Sequence, residues 1–164
     1  MKKATEILSD EHENILKFIE ALKRKCDRLG AGAEIDKDFF RKVIDFIRNY
    51  ADKFHHAKEE DILFKELDRR QEQMHCSPMD QMRHEHDLGW GFVRGLEEAL
   101  ISGDKNKIIE NARDYAELLE DHIYKEDNIL YPMADEVLDE VAQKEILRKF
   151  QEIVSPNLNS DIIK

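Results

Sequence analysis

The chain has 164 residues, 41% of them hydrophobic and 38% charged, with a formal net charge of -11 at pH 7. That length fits one domain with its own core, and the acidic surface repels phosphate backbones, so nucleic acid is not an expected partner. No apolar run approaches membrane-spanning length, and the opening MKKATEILSDEH turns polar too soon for a signal peptide.

The predicted elements are all helical, because apolar residues recur at helical spacing and no stretch alternates as a strand does. A first helix is expected over about residues 5–29, with Leu8, His12, Ile15, Leu16, Ile19 and Leu22 on one face and Gly30 and Gly32 beyond its end. Asp36 is a plausible N-cap for a second, about 37–72. Ser77 and Pro78 read as N-cap and first residue of a third, about 78–101, closed by Ser102-Gly103. The fourth runs from about Asp104 to Tyr131, where Pro132 kinks or stops it, and a short fifth occupies about 136–153. Long helices joined by short loops imply an antiparallel up-down four-helix bundle with a short extra C-terminal helix. The bundle is expected over 1–155, followed by a polar tail over 156–164.

The chain also repeats itself. His55-x-x-Lys58-Glu59 returns as His122-x-x-Lys125-Glu126, and Ile62-Leu63-Phe64 returns as Ile129-Leu130-Tyr131. Glu11-His12-Glu13 in the first helix is echoed by Glu85-His86-Asp87 in the third. Two echoes in the same order argue for two related helical hairpins.

Residues four apart on a helix lie only about 40° apart around the axis. His55 therefore projects with Glu59, and His122 with Glu126. The fourth helix places its pair in an inward stripe with Tyr115, Leu118, Leu119, Ile129 and Met133; the second places its pair near Ile44, Ile47, Ala51, Ile62 and Leu63. His12 lies between Leu8 and Leu16, and His86 between Met82 and Trp90. A lone inward histidine is more often a satisfied core residue, and a lone His-x-x-x-Glu pair more often a surface pair. Four inward histidines with two matched glutamates point instead to metal, since imidazole plus carboxylate suits zinc and non-haem iron and a buried glutamate needs a partner. The arithmetic suits two metals, each with two histidines, bridged by both glutamates.

His56 and Glu60 form a competing pair rotated by about 100°. The repeat has Ile123 and Asp127 there, which favours His55 and Glu59 and leaves Glu60 as an outer acceptor. His84 and His75 are expected at the surface. Lys58 and Lys125 read as solvated, with a role next to the ligands as the alternative. Gly89, Gly91 and Gly95 each cost roughly 0.8–1.0 kcal/mol against alanine inside a helix, which close helix packing or a ligand path would explain. Cys26 and Cys76 lack paired-ligand spacing, so no disulfide and a reducing, cytoplasmic setting are expected, with Cys76 a partly buried loop thiol.

With DEHENIL at 10–16, HHAKEEDILF at 55–64, HEHDLGW at 84–90 and DHIYKEDNILYPMA at 121–134, the sequence resembles the hemerythrin-like family of HHE cation-binding domains over about residues 5–150. The resemblance implies a four-helix bundle around a carboxylate- and oxygen-bridged di-iron centre held by His12, His55, Glu59, His86, His122 and Glu126, with zinc as a substitute. Oxygen-carrying members have a histidine where this chain has Met82, so one iron is expected to lose a ligand. Their last carboxylate is an Asp five residues after its histidine, not a Glu four after. The chain is thus more similar to bacterial and sensor-type members. The expected function is a cytoplasmic di-iron protein that binds, senses or reacts with oxygen, nitric oxide or peroxide. The alternatives are a rubrerythrin-like peroxidase or oxidase fed by an external electron-donor protein, and an iron- or oxygen-responsive interaction module.

Overall fold

Three aspartates start helices by the same contact. Asp36 accepts a hydrogen bond from the Phe39 backbone at 3.1 Å, Asp104 from Lys107 at 3.1 Å and Asp139 from Ala142 at 2.8 Å. Each satisfies one of the amides that a helix start leaves without a partner. A computed structural model describes residues 1–157 of the chain; of the predicted polar tail, 158–164 lie outside the described residues.

The first rod is α1 (Ala4–Gly30). The second begins as α2 (Lys37–Phe46), runs on through π-helical turns at Ile47–His56 and Glu59–Leu63, and ends as α3 (Phe64–Asp68). The third is α4 (Met79–Ser102). The fourth is α5 (Lys105–Lys125), a π turn at Glu126–Leu130 and α6 (Tyr131–Val137). A short α7 (Glu140–Gln151) closes the described chain. Among the described residues there is no strand, and no helix is long and apolar enough to cross a membrane.

Several local expectations change. Pro78, not Ser77, stands at the cap of α4, and no side chain caps it. Pro132 does not end the fourth rod, which continues to Val137. The π turn just before it widens the backbone, and proline lacks only the donor that an early helical position does not use. Gly103 ends α4 in the left-handed region at φ 71°, where the absence of a side chain removes the steric penalty.

The four rods bury two apolar layers with a polar layer between them. On α1, Leu8 belongs to one layer and Ile15 to the other, with His12 between. The second rod repeats the order with Ile62, the His55/Glu59 turn and Phe54; the third with Met82, His86 and Val93; the fourth with Leu130, Glu126 and Ile123. α7 adds Ile146 and Phe150 to the layer that contains Leu8. Gly95 supports the packing reading: a methyl group there would fall 2.3 Å from the Asn111 side chain on α5. Gly91 faces open space, so nothing in the packing accounts for it.

Trp90 and Ile129 leave the inward stripe; they are 53% and 46% exposed. Trp90 is one turn beyond His86, and the drift of about 40° per four residues turns it outward while Gly89 faces Tyr115. Ile129 lies inside the π turn at Glu126–Leu130, where ideal α-helical phase no longer holds. Cys76 is exposed rather than partly buried, Cys26 is buried, and both are free thiols.

Candidate metal centre

His12, His55, Glu59, His86, His122 and Glu126 converge in the polar layer and are all at least 96% shielded from solvent, His86 at 4% exposure being the most open. Their inner atoms form two groups, in each of which the atoms lie within 4.8 Å of one another: His12, His55, Glu59 and Glu126 in one, and His56, Glu59, His86 and His122 in the other. Glu59 belongs to both. Glu126 Oε1 also reaches across, lying 3.3 Å from His12 Nε2 and 3.0 Å from His122 Nε2.

His56 is the residue that the repeat argued against. It is 6% exposed and joins the second group, so the groups hold two and three histidines rather than two each. The π turn over Ile47–His56 is the cause. More residues per turn bring neighbours closer around the axis, so His55 and His56 both aim inward and divide between the groups. The apolar Met82 position therefore leaves no shortage beside His86: His56 supplies the donor from another rod.

Each imidazole has a carboxylate on its outer nitrogen. The Nδ1 atoms of His12, His55, His56, His86 and His122 pair with Asp127 at 2.9 Å, Glu11 at 2.9 Å, Asp52 at 3.1 Å, Glu60 at 2.8 Å and Glu85 at 2.9 Å. A carboxylate there holds the proton on Nδ1 and turns the Nε2 lone pair toward the centre, the arrangement metal-ligating histidines use. The repeated lysines complete it. Lys58 donates to Glu11 Oε2 at 2.7 Å, and Lys125 donates to Glu85 Oε2. Lys58 is buried rather than solvated. The Glu-His echo of α1 and α4 was the signal for Glu11 and Glu85: each glutamate serves the histidine of the adjoining rod, not its neighbour in sequence.

The two halves superimpose chemically. His12 and His55 have ring centroids 4.7 Å apart at 56°, and His86 and His122 4.7 Å apart at 57°. His12 stacks on Tyr131 at 8°, and His86 on Phe64 at 10°.

The inner atoms suit a cation. His55 Nε2, Glu59 Oε1 and both Glu126 oxygens are buried without a hydrogen-bond partner in the protein. Leaving carboxylates so would be costly unless positive charge met them. Protons meet part of that need. His12 is held up at about 9: burial opposes its charge, but Asp127, Glu126 and Glu59 outweigh burial. His122 is held up at about 10, burial again yielding to Glu126, Glu85 and Glu59. Burial and Glu126 raise Glu59. Burial works against charge on Glu126, but His122 beside it holds the carboxyl well below the usual range. Burial and the neighbouring His86, His55 and His122 push His56 well down, keeping it neutral. Neutral imidazole and ionised carboxylate are the forms that bind metal.

The family model described as the hemerythrin HHE cation-binding domain matches residues 3–134. The chain belongs to this family. A comparison with curated proteins returned no significant match. The hemerythrin-like match covers the first three rods, the fourth as far as Ala134 and all seven inner residues, and it ends before α7, so the closing helix lies outside the matched domain. As an HHE domain the chain binds metal cations, and its buried His/Glu layer is where they fit.

Proposed function

We propose that the protein is a non-haem di-iron protein that binds or reacts with a small ligand such as oxygen, nitric oxide or peroxide. One observation carries this reading: two groups of buried N and O donors share Glu59. His12 and His55 serve one iron and His56, His86 and His122 the other, with Glu59 and Glu126 between them. Iron would supply a change of oxidation state and an open position for a small ligand; zinc suits the same donors and competes for them.

The protein's own residues do the rest. The five outer carboxylates fix the direction of each imidazole, so little reorganisation is needed when metal enters. The two inner glutamates cancel part of the metal charge. The apolar layers on both sides limit the approach of water and favour small uncharged ligands over ions.

A specific observation favours turnover with an external electron donor as the second reading. The exposed Trp90 and Asp52 line one surface cleft, and Asp52 pairs with His56 Nδ1 at 3.1 Å. That linkage runs from the second group to the cleft, which has a volume of about 410 Å³ and is lined by Arg48, Asp52, Lys53, Trp90, Val93 and Arg94. Metal analysis after expression with iron tests the di-iron reading: the expected result is two irons per chain, and a single zinc or no metal would sink it. Optical spectra of protein purified without oxygen and then exposed to it test ligand binding. Peroxide consumption with and without a reductant separates the two readings.

A further inference from the structure

The duplicated halves differ at two places that matter to the centre. Where the second half has Ile123, the first has His56, and this adds a donor to the group of His86 and His122. Where the first half has Phe64, the second has Tyr131. The two aromatic rings do the same packing work, each lying nearly parallel to a histidine of its own group. The tyrosine differs by one hydroxyl, and that hydroxyl points into the group of His12 and His55, donating a hydrogen bond to Glu59. Its Oη lies 3.2 Å from Glu59 Oε2 and 3.4 Å from His12 Nε2. Tyr131 is 2% exposed, so the hydroxyl is shielded from bulk water.

We propose that Tyr131 Oη is the additional protein ligand of the metal held by His12 and His55, a proposal that rests on the two-metal reading. Two donors at right angles, each about 2.1 Å from one ion, lie about 3 Å apart. The separations from Tyr131 Oη to Glu59 and His12 are those of neighbouring ligands, reached with no movement of the backbone. One break of the internal symmetry thus adds a third terminal donor to each metal: His56 on one side, Tyr131 on the other. On binding, the phenolic O–H bond is replaced by an oxygen–metal bond and the proton leaves to solvent. No change of oxidation state is involved. The consequence is an unequal pair, with a hard anionic oxygen on the His12 side that favours the ferric ion there and a third neutral imidazole on the His86 side.

The test uses the full chain loaded with ferric iron, as wild type, Tyr131→Phe and Tyr115→Phe. Tyr115 is the control because its hydroxyl is also buried but has no partner in the protein. Metal content, visible absorption and resonance Raman spectra are recorded on the same samples. Wild type and Tyr115→Phe should show a visible phenolate-to-iron band whose excitation enhances tyrosine ring vibrations. Tyr131→Phe should lose both the band and the vibrations and bind the His12-side iron at least tenfold more weakly. Two irons without tyrosine vibrations in the wild type overturn the ligand assignment and leave the di-iron reading standing; so does a band that survives Tyr131→Phe. Fewer than two irons in the wild type overturns both. If Tyr131→Phe fails to fold, ring-deuterated tyrosine in the wild type decides alone: enhanced vibrations that do not shift with the label exclude tyrosine.

Discussion

His56 and His86 stack with ring centroids 3.8 Å apart and 21° between their planes. The contact joins the second rod to the third and aligns two donors of the same group. His56→Ala should therefore remove the metal on the His86 side and leave the other, as His12→Ala should do in reverse. Glu59→Ala should weaken both, because Glu59 is shared. Glu60→Ala, which removes only an outer acceptor of His86, should lower affinity by about 10–100-fold without abolishing binding. Elemental analysis of the four variants checks the order, and full metal content in His56→Ala would contradict the assignment of the second group.

Metal should hold the bundle together. It ties four rods at one layer and stabilises only the folded chain by mass action. At free metal about a thousandfold above its dissociation constant the gain is about 4 kcal/mol, which for a chain of this size raises the melting temperature by roughly 10 °C. Thermal melts before and after chelation at neutral pH read this directly. Equal melting temperatures would show that the buried donors are satisfied without metal.

The metal-free protein should respond to pH in the opposite sense to the loaded one. An unfolded histidine titrates near 6.5, whereas folded His12 is held up at about 9 and His122 at about 10. Such groups contribute stability that is fully present below about pH 6.5 and is lost as pH rises through their folded values. The apo protein should thus melt at progressively lower temperature from pH 7 to pH 10. The loaded protein should hold its stability across that range and lose it on acidification, as protons displace metal. Melting curves of both forms across pH check the signs.

The two repeated lysines should not be equivalent. The Lys58 and Glu11 side chains are 5% and 10% exposed, whereas that of Lys125 is 38% exposed. Glu11→Ala strands the Lys58 ammonium in the interior and unfastens His55, and should cost about 3–5 kcal/mol. Lys125→Ala leaves a glutamate still held by His122 and Gln81 and should cost about 0–1 kcal/mol. Chemical denaturation of the apo variants separates the two.

Much of the centre was legible because the chain states it twice. His12, His55, Glu59, His86, His122 and Glu126 follow from two echoes and helical phase, and all six converge. His56 was not, because its counterpart is Ile123 and because a π turn has no residue signature that an ideal 3.6-residue period can register. The same idealisation placed Ile129 inward. The outer carboxylates could have been suspected at Glu11 and Glu85, since both flank a repeated histidine; which rod they serve is a matter of tertiary contact. Lys58 looked solvated because a lysine on a charged helix usually is, and only the partner on α1 shows why this one is buried.

The five outer carboxylates do not meet water equally. Asp127 and Glu60, behind His12 and His86, are 31% and 35% exposed, while Glu11 and Glu85, behind His55 and His122, are 10% and 4% exposed. Each donor group therefore has one imidazole anchored at the rim and one anchored in the interior, and the second group adds His56, anchored by Asp52 at 15% exposure. The rim anchors occupy the same position of the repeated motif, one per half, and form two wet handles on an otherwise dry centre. Solvent therefore comes nearest to the buried donors at these two side chains, one for each group, so the two groups face water in the same way while their residue sets remain distinct.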